Sequence, residues 1–175
     1  MNSYIILTTI LAVGRALDLI STRQLTPSFD LELNQWMKKV GWRNTILINV
    51  GLTLAFPLIF NKNQVVMFAV FSALMAFRNY QFIPMVKTLG ESKYSECLKG
   101  YYSKTNSIDF WPPIAIKFTV IFLIGAFVVT TKAVDEHEKI WFVPAIGQSL
   151  IFYSIFFALI ETSIRLVHSK NNKNH

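Results

Sequence analysis

Arg15 and Asp18 stand three residues apart and Glu161 and Arg165 four apart, each pair inside a long apolar run. Such spacings place both members of a pair on one face of a helix. A charge facing lipid at mid-bilayer costs at least about 2.5–3.5 kcal/mol, so these residues are expected to face other parts of the protein. Asn49 and the neighbours Arg78 and Asn79 add polar groups to two further apolar runs. The guanidinium groups suit a phosphate, a carboxylate or a lipid headgroup, and the carboxylates of Asp18 and Glu161 suit a cation or a proton. The same residues also fit local ion pairs and interhelical hydrogen bonds that only help helices pack.

The elements that must position these groups are membrane spans. The chain has 175 residues, 53% of them hydrophobic and only 15% charged, which is too apolar for an ordinary soluble domain. Crossing the hydrocarbon core takes roughly 20 apolar residues as a helix. Five stretches meet or approach that length, 3–22, 45–60, 64–86, 113–134 and 140–167. The fold class expected is therefore an all-α, polytopic helical bundle forming a single transmembrane domain. The first stretch lacks a basic leading region and a small-residue cleavage signature, and Arg15, Asp18 and Arg23 follow it closely, as in a retained helix. Asn61, Lys62 and Asn63 read as the tight turn between the second and third spans.

Charge sets the expected orientation. With the N-terminus outside, the inner segments hold Arg23, Lys38, Lys39, Arg43, Lys87, Lys93, Lys99, Lys104, Lys170 and Lys173, and the outer ones only Lys62, Lys132 and Lys139. The excess of basic residues on one side places that side, with the C-terminus, in the cytoplasm, as in a bacterial-type inner membrane. The net charge of +7 lies mainly between apolar runs, beside headgroups rather than nucleic acid, so membrane lipids are the expected partners and nucleic acid is not.

At about 1.5 Å per residue, Asp18 and Arg15 lie roughly 7 and 12 Å above Arg23, and Asn49 roughly 9 Å above Arg43. On the same scale Asn79 and Arg78 lie roughly 12 and 14 Å above Lys87, and Glu161 roughly 10 Å above His168. Four spans thus carry polar groups at one depth in the inner half. Helical phase agrees: Thr8, Arg15, Asp18 and Thr22 share a face, as do Thr45, Asn49 and Thr53, Ser72 and Asn79, and Ser154, Glu161, Arg165 and His168. The fourth span carries only Lys117, near its inner end, and reads as the peripheral helix.

Two inner connections are long enough for structure of their own. In the first, Pro27, Ser28 and Asp30 read as a helix start, and Leu31, Leu33, Trp36, Met37 and Val40 alternate with Lys38 and Lys39 before Gly41, as in a short amphipathic interfacial helix. The second, from Lys87 to Trp111, mixes Tyr94, Tyr101 and Tyr102 with lysines and is expected to lie against the inner headgroups, with Pro112 and Pro113 opening the fourth span. Glu32 and Asn34 are close enough in sequence to fold back under Asp18, and the three would offer oxygen ligands to a divalent cation.

The stretch from Ala16 to Thr22, with Asp18 and Thr22, followed by Glu32-Leu-Asn34, resembles a family of small prokaryotic multi-pass membrane proteins of unassigned function. That family carries an aspartate and a threonine at a helix end and then Glu-x-Asn-Pro, whereas Gln35 stands here in place of the proline. The resemblance implies that Asp18, Thr22, Glu32 and Asn34 act together, and it brings no activity with it.

Nucleophile elbows, glycine-rich phosphate loops and HExxH motifs are absent from the sequence, and His137 between carboxylates has no second histidine four residues away. The single cysteine, Cys97, gives no intrachain disulfide. The expected function is a polar pocket for a small ion, solute or lipid headgroup, formed by Arg15, Asp18, Thr22, Glu32, Asn34, Asn49, Arg78, Asn79, Glu161 and Arg165. The protein would then be a small carrier or a subunit of a larger membrane assembly, and its size makes a homo-oligomer or partner membrane subunits an expectation. The alternatives are an intramembrane enzyme using Asp18, Glu32 or Glu161 on a lipid or lipid-linked substrate, and a purely structural subunit.

Overall fold

The computed structural model describes residues 2–29, 31, 35–131 and 143–171. Among them there are six helices and no strand: α1 (Asn2–Leu25), α2 (Gln35–Ile59), α3 (Lys62–Leu89), α4 (Glu91–Lys104), α5 (Ser107–Thr131) and α6 (Val143–Asn171). All except α4 are long and apolar enough to cross a membrane, so the protein is a helical integral membrane protein with five candidate spans among the described residues. Contacts divide the chain into two units, Met1–Tyr94 and Ser95–His175, with the boundary inside α4.

In the first unit α1 packs on α3 around Leu11, Val65 and Ala69, with Leu7, Phe56, Phe60 and Phe68 against them. Lipid offers helices no hydrophobic gain from meeting, so close van der Waals fit must hold them together. Gly14 supplies it: a Cβ there would lie 2.5 Å from the Ala69 carbonyl oxygen, so the two backbones touch. Large apolar side chains point outward instead, with Leu47 61% and Leu58 73% exposed on α2. Thr45, Asn49 and Thr53, at four-residue steps, are buried.

The connection between α2 and α3 is a capping box: the Gln64 amide donates to the Asn61 side chain at 3.0 Å, and the Asn61 amide donates to Gln64 Oε1 at 3.2 Å. Lys62 and Asn63, read above as turn residues, already belong to α3.

Other expected boundaries also differ from the structure. Gly41, with φ 75° and ψ 164°, breaks α2 so that the run 35–40 is set apart from the span that follows, but the expected helix start at Pro27 and Ser28 is a turn. Phe29 there has φ 62°, is buried, and stacks on Trp42 with ring centroids 4.4 Å apart, while Trp42 Nε1 donates to the Pro27 carbonyl at 2.9 Å. Non-glycine residues seldom adopt that conformation, and here the ring stack and the buried site hold it. The second inner connection folds into α4, whose Glu91 in the first turn and Lys104 in the last oppose the helix dipole. Finally α5 begins at Ser107, not Pro113, because the Phe110 amide donates to the Asn106 carbonyl at 3.0 Å and the helix runs on through Pro112 and Pro113.

In the second unit α5 and α6 cross at Gly125 and Gly147. A Cβ on Gly125 would lie 2.8 Å from the Gly147 carbonyl oxygen, and one on Gly147 would lie 2.7 Å from Val129 Cγ2. α5 is therefore packed along α6 through a glycine contact, and its outer face carries exposed Ile116, Leu123 and Phe127.

Candidate functional site

Close approach of α1 to α3 and α2 brings polar side chains of three helices into one network. Arg15 Nη1 donates to Asp18 Oδ2 at 3.1 Å and to Ser72 Oγ on α3 at 3.3 Å, and Arg15 Nη2 donates to Asn49 Oδ1 on α2. Asp18 also accepts from Thr22 Oγ1 at 3.5 Å, through its other carboxylate oxygen. Asn79 on α3 spends its amide on α1, donating to Thr22 Oγ1 at 2.9 Å and to Ser21 Oγ at 3.2 Å. Ser21 in turn donates to the Asp18 carbonyl at 2.9 Å. The chain of donors thus runs Asn79, Thr22, Asp18, and a second runs from Arg15 to Asp18, Ser72 and Asn49.

The sequence makes this local geometry nearly unavoidable. Residues 15, 18 and 22 follow one helix face, and on α2 Asn49 is held in place because its Nδ2 donates to the Thr45 carbonyl at 2.8 Å while Thr53 Oγ1 donates to the Asn49 carbonyl at 2.7 Å. With its nitrogen used there, the Asn49 oxygen is the atom left to face Arg15. Ser72, Asn79 and Ser21 are buried. The guanidinium is less enclosed: the Arg15 side chain is 32% exposed and that of Asp18 15%. Among the described residues, the Arg15 Nε–H and one Nη2–H have no hydrogen-bond partner, counting five donors on a guanidinium.

Glu161 and Arg165 belong to a different cluster, within the second unit. The Tyr102 hydroxyl donates to Glu161 Oε2 at 2.5 Å. Buried Arg165 donates to two backbone carbonyls at the end of α4, Tyr102 at 3.3 Å and Thr105 at 2.5 Å, and its guanidinium carbon lies 4.4 Å from the centre of the fully buried Phe110 ring. The last carbonyls of a helix have no partner within it, and Arg165 supplies one from α6. This arginine fastens the corner between α4 and α5, which the sequence did not indicate because α4 itself was unread.

Arg78, one residue from Asn79, lies over the Phe82 ring at 5.8 Å. Glu32 and Asn34, and the acidic stretch Asp135 to Glu138 with His137, lie outside the described residues, as does the proposed cation set of which Asp18 is the described member. Among the described residues no group of three or more His, Cys, Asp or Glu side chains converges as a metal site would.

A third polar cluster carries no sequence signal. The Glu91 carboxylate, at the start of α4, accepts from Thr26 Oγ1, from Ser28 Oγ at 2.6 Å and from the Ser28 amide at 3.0 Å. The Leu31 amide donates to Thr26 Oγ1 at 3.2 Å, which completes the turn holding Phe29. Ser28, expected to start a helix, is instead clamped from a point 63 residues later.

Comparison with protein-family models, with curated proteins and with solved structures found no match.

Proposed function

We propose that the network around Arg15 and Asp18 is a binding site for a small ion, solute or lipid headgroup in the inner half of the membrane, and that the protein is a small carrier or a ligand-binding subunit of a larger membrane assembly. The observation that carries this reading is the asymmetry of Arg15. Its neighbours Asn49, Ser72 and Asn79 are buried and hydrogen-bonded, whereas the Arg15 side chain is one-third exposed with two N–H groups to spare. An arginine present only to hold helices together would be expected to use those donors within the protein, since an unmet donor in a membrane is costly. The distribution of lysine and arginine supports an orientation with the C-terminus in the cytoplasm of a bacterial-type inner membrane, which would open the site toward the cytoplasm.

The test is thermal unfolding of the detergent-purified protein with divalent cations, small anions and phospholipids, wild type beside Asp18→Asn. A ligand held at about a hundred times its dissociation constant stabilises by about 2.7 kcal/mol. The reading requires at least one ligand to raise the wild-type midpoint and to lose that effect in the variant. A flat response across the whole panel would leave the network a packing device.

A further inference from the structure

We infer that the end of the first unit where α1 finishes and α2 begins is a docking surface for anionic phospholipid headgroups, separate from the network around Arg15 and independent of the reading above. Arg23 and Arg43 are its phosphate-binding side chains, and Glu91 is the residue that positions them. Arg23, Lys39 and Arg43 are all exposed and have no hydrogen-bond or ion-pair partner among the described residues. Two contacts fix their depth. The Tyr4 hydroxyl donates to the Leu54 carbonyl and Arg15 donates to Asn49, so α1 and α2 run in opposite directions. From the level of the Arg15 to Asn49 bond, Arg23 lies about 12 Å along α1 and Arg43 about 9 Å along α2 toward its start, at 1.5 Å per residue. The two arginines therefore stand within about 3 Å of one level.

The turn between them is tied at both ends. The Glu91 carboxylate accepts from the Ser28 hydroxyl at 2.6 Å, from the Ser28 amide at 3.0 Å and from Thr26 Oγ1. Held in this way, the turn offers the Pro27 carbonyl to Trp42 Nε1 and stacks Phe29 on the Trp42 ring. Trp42 is the residue before Arg43, and the Thr26 amide joins the turn to the last turn of α1 by donating to the Thr22 carbonyl, next to Arg23, at 2.8 Å. A carboxylate on α4 thus sets the places of two arginines on two other helices.

Depth and charge identify the partner. Ile20, three residues before Arg23, and Leu47, four after Arg43, lie one turn deeper on the same helix faces, and both are exposed, as lipid-facing side chains are. Each arginine thus marks the border where apolar surface gives way to headgroups, the level that Trp42 also favours. A guanidinium takes two phosphate oxygens through parallel charge-assisted hydrogen bonds. The segment from 23 to 43 holds Arg23, Lys38, Lys39 and Arg43 against Asp30 and Glu32, so the surplus is basic and an anionic leaflet complements it. The helix dipole accounts for Arg23 in the last turn of α1, but Lys39 and Arg43 stand near the start of α2, where it disfavours a cation. Setting membrane orientation needs only their charge, whereas the turn held by Glu91 also gives them a fixed spacing.

The experiment counts the phospholipids retained by the full-length protein in native mass spectrometry, from non-ionic detergent micelles containing equal amounts of phosphatidylglycerol and phosphatidylcholine. Wild type is expected to retain phosphatidylglycerol in preference. Arg23→Gln and Arg43→Gln should each lower that preference about fivefold, the share of one basic residue at an anionic surface. Lys62→Gln, at the other end of α3, removes the same charge and should leave it unchanged. Glu91→Ala separates a built surface from bulk attraction: it makes the protein more positive, yet it should lower the preference because the turn is released. A rise in Glu91→Ala, or an equal loss in Lys62→Gln, means attraction by net charge alone and overturns the inference. Equal retention of the two lipids overturns it, as does full displacement of phosphatidylglycerol by inorganic phosphate at matched ionic strength. The arginine variants alter exposed side chains without partners, so they decide the matter if Glu91→Ala fails to fold. Asp18→Asn disturbs the Arg15 network and should leave the preference in place; a loss there would put the lipid at Arg15 and overturn the surface.

Discussion

Replacing Gly14 by alanine tests the contact on which the whole polar network depends. A Cβ at this position would lie 2.5 Å from the Ala69 carbonyl oxygen and 3.1 Å from the Ala69 carbonyl carbon and Cα, against about 3.4 Å for ordinary contact, so the shortfall at the oxygen is about 0.9 Å. The obstacle is backbone and cannot rotate away, so α1 must move off α3. Overpacking of this kind costs about 1–3 kcal/mol, and the gain from alanine over glycine within a helix is about 0.5–1 kcal/mol. With backbone as the obstacle we take the upper part of the range and expect a net loss of about 2 kcal/mol. On the scale of about 2–4 °C per kcal/mol for a chain of this size, the unfolding midpoint should fall by about 4–8 °C. Gly51→Ala is the control, since nothing lies within 4 Å of a Cβ there, and it should hold or raise the midpoint. Because Arg15 to Ser72 is already 3.3 Å, the same displacement should break that bond and weaken any ligand response. A Gly14→Ala protein that unfolds at or above the wild-type midpoint, with Gly51→Ala behaving as expected, would refute the close approach of α1 and α3.

Three further outcomes follow from other contacts. Gly125→Ala and Gly147→Ala should each lower the midpoint by an amount equivalent to about 1–3 kcal/mol, and the double variant by less than their sum, because each new methyl meets the partner glycine's backbone or a neighbour of it. Arg165→Lys keeps the charge but loses the planar fork that reaches both Tyr102 and Thr105 carbonyls, so limited trypsin digestion after Lys104 should become faster. Glu91→Gln removes one of two acceptor oxygens from the turn, and amide hydrogen exchange at Ser28 and Leu31 should accelerate while that at the centre of α3 stays slow.

The parts of this architecture legible in the sequence are those that lipid enforces. Thr45, Asn49 and Thr53 had to face inward together, because each would otherwise meet hydrocarbon, and all three are buried. The same reasoning aligned Ser72 with Asn79, though it did not show that Ser72 takes an arginine from α1. What sequence could not supply was pairing across helices. Arg165 four residues after Glu161 reads as an ion pair, and nothing in that spacing shows that Arg165 also donates to the carbonyls that end α4. α4 itself, polar and fourteen residues long, has neither the length nor the apolar run of a span and so left no pattern to follow. Pro112 and Pro113 read as a helix opening because proline favours the first turn, but the helix had already begun at Ser107, where Asn106 provides the first acceptor. Glycine is common in spans whether or not it sits at a contact, so Gly14 against Ala69 was invisible before the helices were placed.

The Arg15 network also implies an order of assembly as the chain is made. Asp18 is three residues from Arg15 and emerges almost with it, so α1 can enter the membrane carrying its own counterion. Asn49 follows 34 residues after Arg15 and Ser72 57 residues after. At about 5–20 residues per second, those partners arrive roughly 2–7 s and 3–11 s later. For that interval the guanidinium has only its carboxylate neighbour, and a variant lacking Asp18 would present an unpaired charge to the insertion machinery seconds before any other helix could receive it. Loss of Asp18 is therefore expected to show first in the yield of inserted protein.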